Sequence, residues 1–362
     1  MANITNKHKE RIPLLKIEQT IRRILPLDEE AMREAARRLD RLTKPPGSLG
    51  RLEELAVQLA GITGDADLKP MAKAIVVMAA DHGVCEEGVS AFPQEVTRQM
   101  VHNFLAGGAA INVLARQTGA EVVCVDIGVK GELEDDRLIS RKVRQGTANM
   151  AREAAMSREE AERAIEIGIE LAEILAGKGI RLFATGEMGI GNTTPSAAVL
   201  SVLSDVDAED AVGRGTGIDD AGMKRKQATI RKAIALNVPD ASDAIDVLAK
   251  VGGLELAGLA GLVLGAAANR RPVVIDGFIS TVAALAACRI APAAKEYLIP
   301  SHLSEEKGHR VALKELGLEP MLSLKMRLGE GSGAVLAFPL IDAAGNVLRE
   351  MATFDSAGVS RG

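Results

Sequence analysis

Residues Ala74-Ile75-Val76-Val77-Met78-Ala79-Ala80, which run straight into Asp81-His82-Gly83-Val84, decide how this chain is read. Seven apolar residues without a polar break are short for a helix and fit a strand buried on both faces, as in a parallel sheet. Similar mainly apolar runs, each flanked by turn residues, return at 121–127, 181–185, 272–275 and 296–300. Between them the pattern predicts helices over 93–117, 157–176, 222–236 and 252–269, the second opening on a Ser157/Glu160 capping box. Such alternation indicates an α/β fold with a parallel sheet and right-handed crossovers. Ahead of the first strand, residues 14–62 read as helical, with Asp28, Glu29 and Glu30 favouring a helix N-terminus before the amphipathic run 31–42. Lys44-Pro45-Pro46-Gly47-Ser48-Leu49-Gly50 breaks that region and is a candidate boundary, because two prolines and two glycines in seven residues cannot continue a helix.

Composition narrows the function. A chain of 362 residues suggests about two to three domains. Its 47% hydrophobic and 26% charged residues mark an ordinary globular protein with a full core. A net charge of −5 removes the general attraction for phosphate backbones, and 2% aromatic residues leave no base-stacking platform, so nucleic acid is not an expected partner. The longest uncharged stretches, 188–204 and 256–269, are too short and too rich in small residues to span a bilayer, which needs about 20 apolar residues. The polar start, with Lys7, His8, Lys9, Glu10 and Arg11, has no apolar core of a secretion signal. Cys85, Cys124 and Cys288 lie far apart without CxxC spacing, so a reducing cytoplasm is the expected compartment. The small-residue runs 252–269 and 282–294 read as closely packed helices that could also serve a subunit interface.

Ligands of open α/β sheets bind beyond the carboxyl ends of the strands, so chemistry is sought there. The five ends carry Asp81-His82, Asp126, Gly186-Glu187, Asp276-Gly277 and Ser301-His302, which points to one common site although each acidic residue alone could be a turn or cap. Gly186, Gly189 and Gly191, followed by Asn192-Thr193-Thr194 and a small-residue helix over 195–203, can bring backbone N–H groups to an anion. Gly213-Arg214-Gly215-Thr216-Gly217 could form a second N–H surface or a plain loop, and Lys224 and Lys226 could supply positive charge or be solvated. Neither glycine cluster matches a dinucleotide fingerprint or a P-loop, so a smaller phosphate-bearing molecule fits better and a kinase or phosphohydrolase is disfavoured. In Met326-Arg327-Leu328-Gly329-Glu330-Gly331-Ser332-Gly333 a carboxylate stands between glycines beside the apolar run 334–344, so Glu330 is a candidate general base or a helix-end glutamate. The five histidines show no metal-ligand spacing, and Asp81, His82 and Cys85 follow too closely to define a nucleophilic triad.

With these residues in view, the chain resembles the nicotinate-nucleotide:dimethylbenzimidazole phosphoribosyltransferases. Five ordered motifs carry the resemblance: 42–50, Ala80-Asp-His-Gly-Val84 with Glu87-Gly-Val-Ser90, 186–194, 213–217 and 326–331. It implies a large domain with a Rossmann-like parallel sheet, a small helical domain built from both chain ends, and a homodimer. In that division residues 1–62 contribute to the small domain, 63–300 form the large one, and 301–362 complete the active site and the small domain. The implied reaction joins the ribose 5-phosphate of nicotinate mononucleotide to 5,6-dimethylbenzimidazole, giving α-ribazole 5′-phosphate and nicotinate without a metal or other cofactor. By family position Glu330 looks like the base. Glu187, Gly189, Gly215 and Lys226 match nucleotide-binding positions, as do Asp276, Gly277 and Ser304, and Phe92 and Met100 fall on the wall facing the accepting base. An apolar wall suits a flat aromatic, which leaves adenine or a phenol as alternative acceptors. A non-catalytic nucleotide sensor with the same pocket is the alternative outside enzymology.

Overall fold

The computed structural model describes residues 17–215 and 217–360. Six strands form one parallel sheet: β1 (Lys73–Ala80), β2 (Glu121–Gly128), β3 (Ile139–Ser140), β4 (Leu182–Met188), β5 (Val273–Ile275) and β6 (Leu298–Pro300). Their order is β3-β2-β1-β4-β5-β6, with every neighbouring pair parallel. This is a Rossmann-like arrangement, and the direction of winding reverses between β1 and β4. The expected α/β fold is therefore present, and the reversal places a ligand crevice at the carboxyl ends near the sheet's middle.

Alternation along β1 explains its unbroken apolar run. Ala74, Val76, Met78 and Ala80 enter the core on one face, whereas Ile75, Val77 and Ala79 enter the core on the other. The first face is covered by helices Arg158–Gly177, Leu254–Ala268 and Phe278–Ile290, among others. The second is covered by Glu29–Arg41, Arg51–Thr63, Glu95–Ala106, Ala110–Thr118 and Ser332–Glu350, so both ends of the chain share one layer. Leu42 and Thr353 join in an antiparallel bridge where those ends meet.

The capping box forms as expected: the Ser157 hydroxyl accepts the Glu160 N–H, and Glu160 accepts the Ser157 N–H. The small-residue run at 252–269 packs as closely as expected. A Cβ placed on Gly261 would lie 1.9 Å from the Ile165 carbonyl oxygen, and one on Gly168 would lie 1.9 Å from that of Gly258. Helix Leu254–Ala268 is buried almost throughout within its own chain, which removes the interface alternative for that helix.

Several element boundaries differ from the sequence reading. The stretch 93–117 is two helices, because Gly107 adopts a left-handed φ of +80° and closes the first. The stretch expected to be helical over 14–62 contains helices Ile17–Arg23, Glu29–Arg41 and Arg51–Thr63, with residues 14–16 outside the described part. The polar start, residues 1–13, also lies outside it. Strand β3 went unread because two residues display no periodicity. Strand β4 runs on to Met188, so Glu187 stands on the strand itself rather than on the loop beyond it.

Candidate active site

A crevice of about 590 Å³ opens beyond the carboxyl ends of β4, β5 and β6, a size suited to a small-molecule site. Glu187, Gly189, Gly215, Asp276, Gly277, Ser304, Phe92, Met100 and Glu330 all line it. Only three of the five strand ends contribute. Asp81 is spent on the Lys130 N–H (2.8 Å), and Asp126 accepts from the N–H groups of Gly128 and Val129. These two carboxylates are turn-holding groups. Strand order, which the sequence does not display, puts Asp126 on β2 away from β4, whereas Asp81 ends β1 beside β4 and is instead turned to the loop after β2 by its bond to Lys130. The nucleophilic-triad alternative also fails on geometry. His82 Nε2 is fully buried against Glu255 Oε1 at 2.9 Å, and the Cys85 thiol donates to the Ile190 carbonyl while burial pushes its pKa up to about 11.

Glu330 sits on an unusual piece of backbone. Gly329, Glu330 and Gly331 have φ values of +87°, +64° and +92°, three left-handed residues in succession. For a residue with a Cβ this conformation costs about 1–2 kcal/mol, so surrounding structure must impose it. Asp276 does so from the end of β5. Its Oδ2 accepts the Gly331 N–H at 3.2 Å, and its Oδ1 accepts those of Gly333 (2.7 Å) and Ala334 (3.1 Å). That carboxylate thus caps the first turn of helix Ser332–Glu350 from a different strand. Neighbouring groups leave no room for side chains: a Cβ on Gly186 would meet the Glu330 carbonyl oxygen at 2.5 Å, and one on Gly333 would meet the His302 ring at Nδ1, 1.9 Å away.

Glu330 is 6% exposed, and its carboxylate accepts the Ile111 N–H at 3.3 Å, at the first turn of helix Ala110–Thr118. Burial raises its pKa above the ordinary carboxylate value; the Ile111 amide opposes the shift and Asp276 adds to it. Among the described residues no cation pairs with it. The helix break at Gly107, which the sequence reading ran through, is what presents this second N-terminus to the carboxylate.

Glu187 stands beside Gly329, where a Cβ would reach within 2.2 Å of its Oε1. Burial pushes its pKa to about 8, with Asp276 and Glu255 adding and the Asn192 side-chain amide opposing. At neutral pH it therefore carries a proton and can donate as well as accept. Asn192, quoted in the sequence motif but not singled out, donates to Glu187 Oε2.

A cationic corner lies at the start of helix Thr193–Ser204. The Lys226 ammonium is 1% exposed and donates to Thr193 Oγ1 at 2.6 Å and the Gly213 carbonyl at 3.4 Å. It stands behind Thr193 rather than in the crevice wall. Burial lowers its pKa to about 8, and the Glu306 charge opposes that shift. Gly215, at φ +53°, approaches so closely that a Cβ would lie 2.8 Å from Thr193 Oγ1, and one on Gly213 would meet Glu306, so the second glycine cluster packs as wall at these two positions while Gly217 is open. Lys224 is exposed and belongs to the solvated surface. Arg327, which the sequence reading did not select, lines the rim and donates to the Gly215 carbonyl at 3.2 Å. His302, at the fifth strand end expected to face the site, lines the crevice, whereas Glu306 was missed as a wall residue, its signal in the sequence no more than proximity to Ser304.

Another stretch of the wall is apolar. Val89, Phe92, Val96, Met100 and Ile190 line it, with Phe92 half exposed at the mouth. The crevice thus combines a buried lysine behind Thr193, an apolar stretch of wall and four buried carboxyl groups, those of Glu187, Asp276, Glu306 and Glu330.

Comparison with known proteins agrees with this arrangement. A family model described as Phosphoribosyltransferase matches residues 24–359. The chain is 56% identical over 346 residues to the nicotinate-nucleotide–dimethylbenzimidazole phosphoribosyltransferase of Desulforudis audaxviator, covering 95% of this chain and 98% of that one. It is 57% identical over 343 residues to the protein of that name from Chloroflexus aggregans, covering 94% and 97%. The crystal structure of CobT from Thermus thermophilus superposes with a TM-score of 0.89 at 50% identity, covering 92% of this chain and all of that one.

Proposed function

The chain belongs to the nicotinate-nucleotide–dimethylbenzimidazole phosphoribosyltransferase family, and from that premise we propose that its crevice transfers ribose 5-phosphate from nicotinate mononucleotide to 5,6-dimethylbenzimidazole with Glu330 as the general base. The observation that carries the assignment is the buried Glu330 carboxylate, held on a left-handed turn and free of any cation among the described residues. Such a group keeps its proton affinity and faces the space a substrate would fill.

The chemistry balances with these parts. Glu330 takes the imidazole N–H proton, and the ring nitrogen so freed attacks the anomeric carbon. The bond from that carbon to nicotinate breaks, and its electron pair neutralises the positive charge of the pyridine nitrogen. The leaving group therefore needs no acid. Attack from the opposite face inverts the anomeric centre, so base and nicotinate must lie on opposite sides of the sugar. Thr193, the backbone around Gly189 and Gly215, and Lys226 behind them form the phosphate end in this reading, while Phe92 and Met100 flank the flat acceptor. Aligning nucleophile and carbon supplies a large part of the acceleration.

The test is incubation of the purified protein with nicotinate mononucleotide and a panel of bases, with products separated by chromatography. Release of nicotinate coupled to a new ribosylated base is the expected result, with dimethylbenzimidazole preferred over adenine or a phenol. Binding without release would replace the enzyme by a sensor.

The same reading includes a homodimer in a cytoplasmic setting. It is supported by the family membership, by the absence of a helix long and apolar enough to cross a membrane among the described residues, and by three unbridged cysteines. Light scattering is expected to return twice the mass of one chain. The division into domains at 1–62, 63–300 and 301–362 belongs to this reading as well. It is supported by the shared layer in which helices Glu29–Arg41, Arg51–Thr63 and Ser332–Glu350 pack together.

A further inference from the structure

His309 lies on helix Lys307–Leu316, is completely buried, and touches no part of the reaction scheme. Its bonds nevertheless end on two walls of the crevice. The backbone N–H of Ser304 reaches Nδ1 at 2.9 Å. An amide N–H can only donate, so Nδ1 carries a lone pair, and the proton of the neutral ring sits on Nε2. Nε2 faces Thr281 Oγ1 at 2.9 Å and therefore donates to it. The Thr281 hydroxyl in turn donates to the Gly277 carbonyl at 2.8 Å. Each bond fixes the direction of the next, and one tautomer satisfies all three.

The last bond is the ordinary i−4 contact of a helical threonine. The imidazole is what ties it to a different strand end. Gly277 follows β5 and Ser304 follows β6, and a Cβ on Gly277 would lie 3.5 Å from the Ser304 Cβ. Ser304 passes its setting on, because its hydroxyl accepts the Glu306 N–H at 3.3 Å. A protonated ring would set a second N–H against that of Ser304. Burial, with His302 and Arg310 nearby, lowers the His309 pKa to about 3 and keeps the ring neutral.

We propose that His309 is a positioning residue: a neutral imidazole, locked in the Nε2-protonated tautomer, that clasps the loops after β5 and β6 so that Gly277 and Ser304 hold the sugar phosphate at a fixed separation. The clasp rests on the transferase reading for what it positions, but its existence is a property of the fold.

The experiment uses the full-length protein as wild type and as three variants. Thr281→Val keeps the shape of the side chain and removes the hydroxyl through which the imidazole reaches Gly277. Its KM for nicotinate mononucleotide is expected to rise about tenfold, the value of one well-made hydrogen bond, with kcat within about twofold of wild type. Thr281→Ser restores the hydroxyl and is expected to return KM to the wild-type value. Nitrogen-15 NMR of the wild-type histidine rings, with His309 assigned from its loss in His309→Gln, is expected to show the Nε2-protonated neutral form across the neutral pH range. An unchanged KM in Thr281→Val, a fall confined to kcat, or a His309 ring protonated at Nδ1 would each overturn the clasp. A wild-type protein that transfers nothing would remove the transferase reading alone. The NMR tautomer, together with calorimetric binding of nicotinate mononucleotide to wild type and Thr281→Val, would still decide the clasp.

Discussion

At Glu330 a side chain with a Cβ occupies a backbone conformation that glycine prefers, and its two neighbours are glycines with the same sign of φ. The Met326–Gly331 motif is explained by that geometry. Gly329 leaves room for Glu187 Oε1, Gly331 clears the side chain of Ile75, and Asp276 ties down the amides that follow. Glu330→Gln keeps the size and the contact with the Ile111 amide but cannot take a proton. Turnover at saturating substrates is expected to fall by about 10²- to 10⁴-fold, while nicotinate mononucleotide still binds. Steady-state kinetics beside a calorimetric titration checks this, and wild-type turnover in the variant would strip Glu330 of its role. Glu330 was legible in the sequence because a carboxylate between glycines is a local signal. Asp276 was legible only as a candidate substrate contact; its work in holding the turn appears once β5 and the start of helix Ser332–Glu350 are adjacent.

Among the helices and strands, backbone approach sets the tolerance to change. Helices Arg158–Gly177 and Leu254–Ala268 touch through Gly168 and Gly261 at distances that exclude any Cβ. Gly261→Ala gains up to ~1 kcal/mol of intrinsic helix preference, but its new carbon would meet a backbone carbonyl that cannot rotate aside. The steric cost wins, and a net loss of ~2 kcal/mol or more is expected from the denaturant midpoint. A midpoint equal to wild type would show that the two helices can part without penalty. The strands were readable because their apolar runs are contiguous, and the capping box at Ser157 because it is local. The break at Gly107 was missed: a glycine inside an apolar-periodic stretch permits a left-handed turn without requiring one. It is the contact of Ile111 with Glu330 that gives the break its purpose.

Over the whole molecule, the crevice concentrates buried ionisable groups, and stability responds to pH accordingly. The Glu187 pKa is raised from 4.5 when free to about 8 in the fold, so folding favours its protonated form. Its contribution to stability is complete below its unfolded pKa and is lost as pH rises through its folded one. From about pH 5 to about pH 8 the unliganded wild type should therefore lose stability that Glu187→Gln retains. Melting temperatures of both proteins across that range give the comparison, and parallel curves would refute it. Activity has the opposite sign on its acid side, because Glu330 must be ionised to accept a proton and turnover should rise with pH through its elevated pKa. By itself the sequence determined the α/β class, the parallel strands, the glycine clusters and the candidate base, because each is written in contiguous residues through periodicity, turn chemistry or motif. Only the tertiary structure decided that Asp81 and Asp126 hold turns, that Lys226 is buried behind Thr193 while Lys224 faces solvent, and that Asp276 supports Glu330. Those outcomes depend on the order of strands in the sheet and on which groups lose their water, and neither is set by neighbours along the chain.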